Sequence, residues 1–211
     1  MRLSLPYAPE TPDFVETRDG RKAVPERMTE REFLEFGFEE KQHWELIGGV
    51  PVMSPSPNYN HQRLVFAIAE IVNTACARKR GLEMVQDVDV LFAGDPDPDW
   101  LRPDIVVVRG KDIGDGRMPL RTLPQLLVEV WSPSTGGRDH GIKREVYARA
   151  GVPEYWIADP ATASLAIFNK PKDGQFAQEQ ADDAGFIFSP FIGKALRIQR
   201  LGRKYNVLTR R

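Results

Sequence analysis

The stretch LLVEVWSPST, Leu126 to Thr135, sets four apolar residues and a tryptophan around one acid, Glu129. Its length and branched content read as a buried strand, closed by a turn-rich SPST. An ionised carboxylate buried without a partner costs on the order of several kcal/mol, because the interior cannot replace its hydration. Glu129 therefore calls for a cation or a metal beside it.

Working outward, RDHGIKREVYARA (138–150), closed by Gly151, has the pattern of a helix, and EYWIAD (154–159) that of a second strand. Upstream, DIVVV (104–108) is a short branched run suited to a fully buried strand, and EMVQDVDVLF (83–92) alternates like one half-buried strand. AGDPDPDW (93–100) reads as a turn-rich loop between them, and residues 110–117 as a Gly-rich loop. Thr29 and Glu32 have capping-box spacing ahead of a short helix, EREFLEFG. HWELI and VPVMS flank Gly48-Gly49 as a hairpin. In NYNHQRLVFAIAEIVNTACARKRG, Leu64, Ile68, Ile71, Val72 and Ala75 recur at helical spacing, with Gly81 as a stop. SLAIFNK and QFAQEQ form a second hairpin about Lys172-Asp173-Gly174, while FIFSPFIGKALRI is ambiguous.

These elements make one α/β domain: a mixed central sheet flanked by helices, with an N-terminal helix and hairpin extension. Residues 1–27 read as an extended or poorly ordered arm, 28–190 as the domain, and 191–211 as a basic segment packed on it. At 211 residues and 41% hydrophobic content, one domain with a real core is expected. No run approaches the roughly 18 apolar residues of a membrane span, and MRLSLPYAPETPDF lacks the apolar middle of a secretory signal, so a cytoplasmic location is expected. Cys76 alone supports neither a disulfide nor a cysteine-rich zinc site and reads as a small helix residue. A net charge of −1 does not announce a nucleic-acid binder. ARKR (77–80) and LRIQRLGRKYNVLTRR (196–211) are basic and DVDVLFAGDPDPDW (87–100) acidic, each explicable as a solvated face.

Asp104 opens one buried strand and Glu129 lies within the next. Two acids on adjacent strands can hold a hard divalent cation, which takes oxygen ligands and offsets their repulsion. A salt bridge to Arg102 or Lys143 explains them equally well. Asp139, Lys143 and Tyr147 share a helix face, and a helix returning across the sheet can bring Lys143 back toward Glu129. The plainer reading of Asp139 and Lys143 is a surface ion pair.

In order, HWELIGGVPVMSPSPNYNHQ, RPDIVVV, LLVEVWSPST and RDHGIKREVYARAGVPEYWIADP resemble the Uma-two family of restriction-endonuclease-like proteins, within the PD-(D/E)xK nuclease superfamily. The resemblance covers roughly residues 28 to 170. It implies a restriction-endonuclease-like fold and an Mg2+-dependent nuclease, Mn2+ substituting, with Asp104 and Glu129 as metal-holding acids. The superfamily's lysine normally stands two residues after the second acid, where this chain has Trp131; the family pattern moves that role to Lys143. Glu45 matches a further acid that would complete the metal shell, its alternative being an exposed acid on a hairpin strand. His61 matches a histidine that would donate to a phosphate or take a proton, its alternative being a bond to the first helical turn. Double-stranded DNA as substrate and a homodimer are further implications.

Trp156 and Tyr155 invite base stacking, but strand position favours core packing, and Asp159-Pro160 most simply ends the strand. Two other functions fit the same residues: a nuclease-fold protein that binds nucleic acid or acts as a scaffold without cutting, and a hydrolase of small phosphate esters.

Overall fold

The computed structural model describes residues 26–36, 43–54, 56–92, 98–116, 118–131 and 139–210. The expected arm, apart from residues 26 and 27, lies outside them, as do most of the AGDPDPDW loop and the SPST turn.

Helix α1 (Glu30–Glu35) begins at Thr29, which accepts from the Glu32 amide while Glu32 accepts from Thr29, the expected capping box. Strands β1 (His43–Ile47) and β2 (Val50–Ser54) form the expected hairpin. Its turn needs two left-handed residues, supplied by Gly48 (φ 54°) and Gly49 (φ 79°). Helix α2 (Tyr59–Arg78) is capped by the Asn58 side chain, which accepts from the His61 amide, and buries Leu64, Ile68, Val72, Ala75 and Cys76.

EMVQDVDVLF does not form one strand. It splits into β3 (Leu82–Gln86) and β4 (Val90–Phe92), which belong to different sheets. The break falls at Asp87, at φ 53°, a conformation aspartate tolerates better than most residues. AGDPDPDW is likewise not all loop: Asp99–Leu101 forms β5, the inner neighbour of β1 and β4. The Asp99 carboxylate accepts from the Gly48 amide at 2.7 Å, which satisfies the acid and lets Trp100 pack on Phe33.

The central sheet has six strands in the order β10-β9-β8-β7-β6-β3. Here β6 is Ile105–Arg109, β7 Leu126–Val130, β8 Glu154–Asp159, β9 Ser164–Lys172 and β10 Gln175–Gln178. β7 and β8 are parallel and all other pairs antiparallel. The β7–β8 crossover carries a π-helical turn, Asp139–Lys143, that leads into α3 (Arg144–Ala150), so the expected single helix is wound in two ways. Gly151, at φ 81°, closes it as expected.

The ambiguous C-terminal stretch resolves into a three-stranded antiparallel sheet, β11 (Ile187–Ser189), β12 (Lys194–Leu201) and β13 (Lys204–Arg210). One face of the central sheet packs against α2 and this sheet through Val128, Trp156, Leu196 and Tyr205. The other packs against α3 and the four-stranded sheet β2-β1-β5-β4 through Leu127, Val146, Tyr155 and Leu101. Trp156 and Tyr155 are both fully buried, so neither is available to stack on a base.

Glu154, which the sequence did not single out, joins these layers. It is buried and accepts from Trp156 Nε1 (2.6 Å), the Ser189 hydroxyl (2.6 Å) and the Phe191 amide (2.7 Å). Burial pushes its carboxyl above the usual range, against the pull of those three donors. Glu154→Ala strands all three donors, each of which is worth about 1–3 kcal/mol when left unsatisfied. The variant is expected to lose roughly 2–4 kcal/mol in urea unfolding; an unchanged midpoint contradicts the assignment.

Candidate functional site

Antiparallel pairing of β6 with β7, Ile105 opposite Val128, brings Asp104 beside Glu129 at the end of the sheet. The Val130 amide donates to Asp104 Oδ2 at 2.7 Å, which fixes the carboxylate against the edge of β7. His61, in the first turn of α2, places Nε2 3.3 Å from the same oxygen.

Glu129 shares its strand face with Leu127 and therefore looks toward α3. Lys143, at the end of the π-helical turn, reaches Glu129 Oε1 at 2.9 Å and Glu45 Oε1 at 2.8 Å. One turn further along, the Tyr147 hydroxyl donates to Glu129 Oε1 at 2.8 Å. Glu45 comes from β1 and is only 2% exposed, so it is not the exposed hairpin acid of the alternative reading. It also accepts from the Arg102 amide (2.9 Å) and the Ser54 hydroxyl (3.0 Å).

Glu45, His61, Arg102, Asp104, Glu129 and Lys143 line one cavity of about 170 Å3, so the fold brings all five expected site residues together. The side chain of Asp139 lies outside the described residues, and its pairing with Lys143 goes with it. Arg102 does not bridge the two acids. Its guanidinium binds Asp89 through two bonds (2.8 and 2.9 Å) and donates to His43 Nδ1. Trp131 packs part-buried in the apolar layer on the α3 side, where it can neither ligate nor carry charge.

Tyr147, His43 and Ser54 were missed as site residues. The signal for Tyr147 was present as its i+4 spacing from Lys143, and that for His43 as its period-2 spacing from Glu45. Ser54 reaches Glu45 only through the hairpin register, which sets the two strands side by side.

Electrostatically the site is a buried cation between buried anions. Burial is the largest single influence and works to raise the Glu45 carboxyl; the Lys143 charge and the bonds from Lys143, Arg102 and Ser54 together outweigh it, so Glu45 lies below the usual 4.5. Burial, with the Glu129 charge next, pushes the Tyr147 hydroxyl well above its ordinary range, which keeps it a donor.

The donor chemistry suits a hard divalent cation. Asp104 and Glu129 offer carboxylate oxygens at one cavity wall, and Mg2+ commonly takes only one or two carboxylates and keeps its waters. Among the described residues, no group of three or more His, Cys, Asp or Glu is placed to hold a metal; Glu45 and Oε1 of Glu129 both engage protein donors. Among these residues too, no helix is long and apolar enough to cross a membrane.

The mixed central sheet with its flanking helices is a restriction-endonuclease-like fold. The chain belongs to the Uma2 family, described as "Putative restriction endonuclease", which matches residues 30–198. It is similar in fold to a solved structure from Anabaena variabilis ATCC 29413, described as "a putative nuclease belonging to DUF820". That similarity has a TM-score of 0.64 at 19% identity and covers 79% of this chain and 91% of that one. No curated protein matches the chain.

Removing the buried cation tests the electrostatics. Lys143→Met leaves two carboxylates desolvated and is expected to cost about 3–5 kcal/mol at neutral pH. The pH slope also reverses. In the wild type the lowered Glu45 pKa gives stability that is present above about 4.5 and lost as pH falls through the folded value. In the variant, desolvation raises the folded carboxyl above its unfolded value, so stability grows as pH falls. Urea unfolding between about pH 7.5 and about pH 3 reads both signs, the wild type losing stability only below about 4.5; parallel profiles contradict the assignment.

Proposed function

We propose that the chain is a divalent-metal-dependent endonuclease that hydrolyses phosphodiester bonds in DNA. The observation that carries this reading is the ammonium of Lys143 held 2.9 Å from Glu129 Oε1 at the wall of the cavity that Asp104 enters. A lysine delivered from the following helix supports the role that Trp131 cannot fill.

Asp104 and Glu129 are the residues that would hold Mg2+ or Mn2+. When bound, such an ion supplies charge stabilisation at a phosphoryl oxygen and a water of lowered pKa. Lys143 provides a fixed positive charge for the developing negative charge on the phosphate. Tyr147 and Glu45 keep that ammonium and the Glu129 carboxylate in register, so little reorganisation is needed during reaction. His61 holds Asp104 and is within reach of a proton at the cavity wall. Cutting both strands of a duplex requires two such sites, which supports a homodimer.

One observation favours a second reading. Glu45, Lys143 and Glu129 form an ion triad that is internally neutralised in part, as a nuclease fold that binds nucleic acid without cutting would need. Supercoiled plasmid at low salt with Mn2+ or Mg2+ separates the two. Nicking or linearisation is expected, with Asp104→Ala, Glu129→Ala and Lys143→Ala each slower by about 10²-fold or more. Intact plasmid under every divalent ion, alongside calorimetric metal binding equal in wild type and both acid variants, would falsify the nuclease assignment.

A further inference from the structure

On the outer face of α2, beginning in its first turn, Tyr59 is 64% exposed and Phe66 52% exposed, both well above what a packed aromatic shows. They stand seven residues apart, two helical turns, and therefore share one face about 10 Å in length. Arg63 lies between them with its guanidinium 5.7 Å from the Phe66 ring centroid, which keeps a cation against the aromatic surface. Gln62, on the same helix, lines the cavity together with His61, so the stripe continues directly from the cavity wall. Glu70 ends the stripe one turn beyond Phe66. Trp156 and Tyr155 are fully buried, whereas Tyr59 and Phe66 are exposed on the helix that borders the site.

The geometry points to Tyr59, Arg63 and Phe66 as a stacking platform that holds two or three unpaired bases of a nucleic acid strand leading into the catalytic cavity. This rests on the nuclease reading and deepens it by naming the substrate class: single-stranded or locally opened nucleic acid. Every base offers a π face, so alternating aromatics and a cation bind a strand without reading its sequence. The span of about 10 Å matches roughly three nucleotides at about 3.4 Å of rise each. A polar border at Gln62 and the flanking guanidinium fit a phosphate-linked strand better than the apolar face of a protein partner.

The test is fluorescence anisotropy of the full chain with a labelled single-stranded 12-mer and with the same 12-mer in duplex, in EDTA so that nothing is cut. Tyr59→Ala combined with Phe66→Ala is expected to weaken single-strand binding about 10- to 100-fold and duplex binding less than twofold. Tyr59→Phe is expected to bind as the wild type does, since stacking needs the ring and not the hydroxyl. Equal losses on both probes, no loss on either, or no single-strand binding by the wild type overturns the platform. So does a wild-type dimer that the double variant turns into a monomer in sedimentation, which makes the face an interface between copies. Because binding is read without metal, a chain that binds but never cleaves sinks the nuclease reading and leaves the platform standing.

Discussion

The buried ammonium of Lys143 is the constraint on which the site depends. It is 4% exposed and meets one carboxylate from the central sheet and one from the hairpin sheet, at 2.9 and 2.8 Å. Neither Glu45 nor Glu129 could stay ionised there alone, and Lys143 could not stay charged without them. The same contacts tie α3, β7 and β1 at one point. Charge neutrality and the alignment of two sheets are therefore one requirement, and the cavity forms where they are met.

The surrounding fold supplies rigidity to that point. Asp104 is pinned by a backbone amide of the neighbouring strand, and Tyr147 donates to Glu129 from a helix anchored in the apolar layer with Tyr155 and Phe92. Groups held in this way need little reorganisation when charge develops on a substrate. The π-helical turn matters for the same reason. It brings the chain into α3 with Lys143 and Tyr147 both directed at one oxygen of Glu129.

Much of this was legible in the sequence, for identifiable reasons. Glu129 broke the apolar pattern of its strand, and such a break has few physical explanations. Lys143 was legible through helical spacing, which placed Tyr147 on the same face without marking it as a site residue, and the Gly48-Gly49 hairpin through its backbone demands. The split of EMVQDVDVLF was not, because alternation continues across Asp87 while the chain changes sheets. β5 was hidden by proline and aspartate on its N-terminal side, since Asp99 is satisfied by a turn amide 51 residues earlier. The burial of Glu45 was invisible for a related reason: it depends on a lysine and an arginine amide distant in sequence. Glu154 shows the same limit, as two of its three donors, Ser189 and Phe191, come from the C-terminal stretch whose pattern was ambiguous.

The central claim is that Asp104 and Glu129 together hold a divalent cation beside Lys143. A crystal of the protein soaked in Mn2+ and measured at the manganese absorption edge tests it most directly. The account predicts an anomalous peak in contact with both carboxylates, with Lys143 still lining the same cavity. A crystal with no peak there, and with Lys143 turned into solvent away from Glu129, would contradict it.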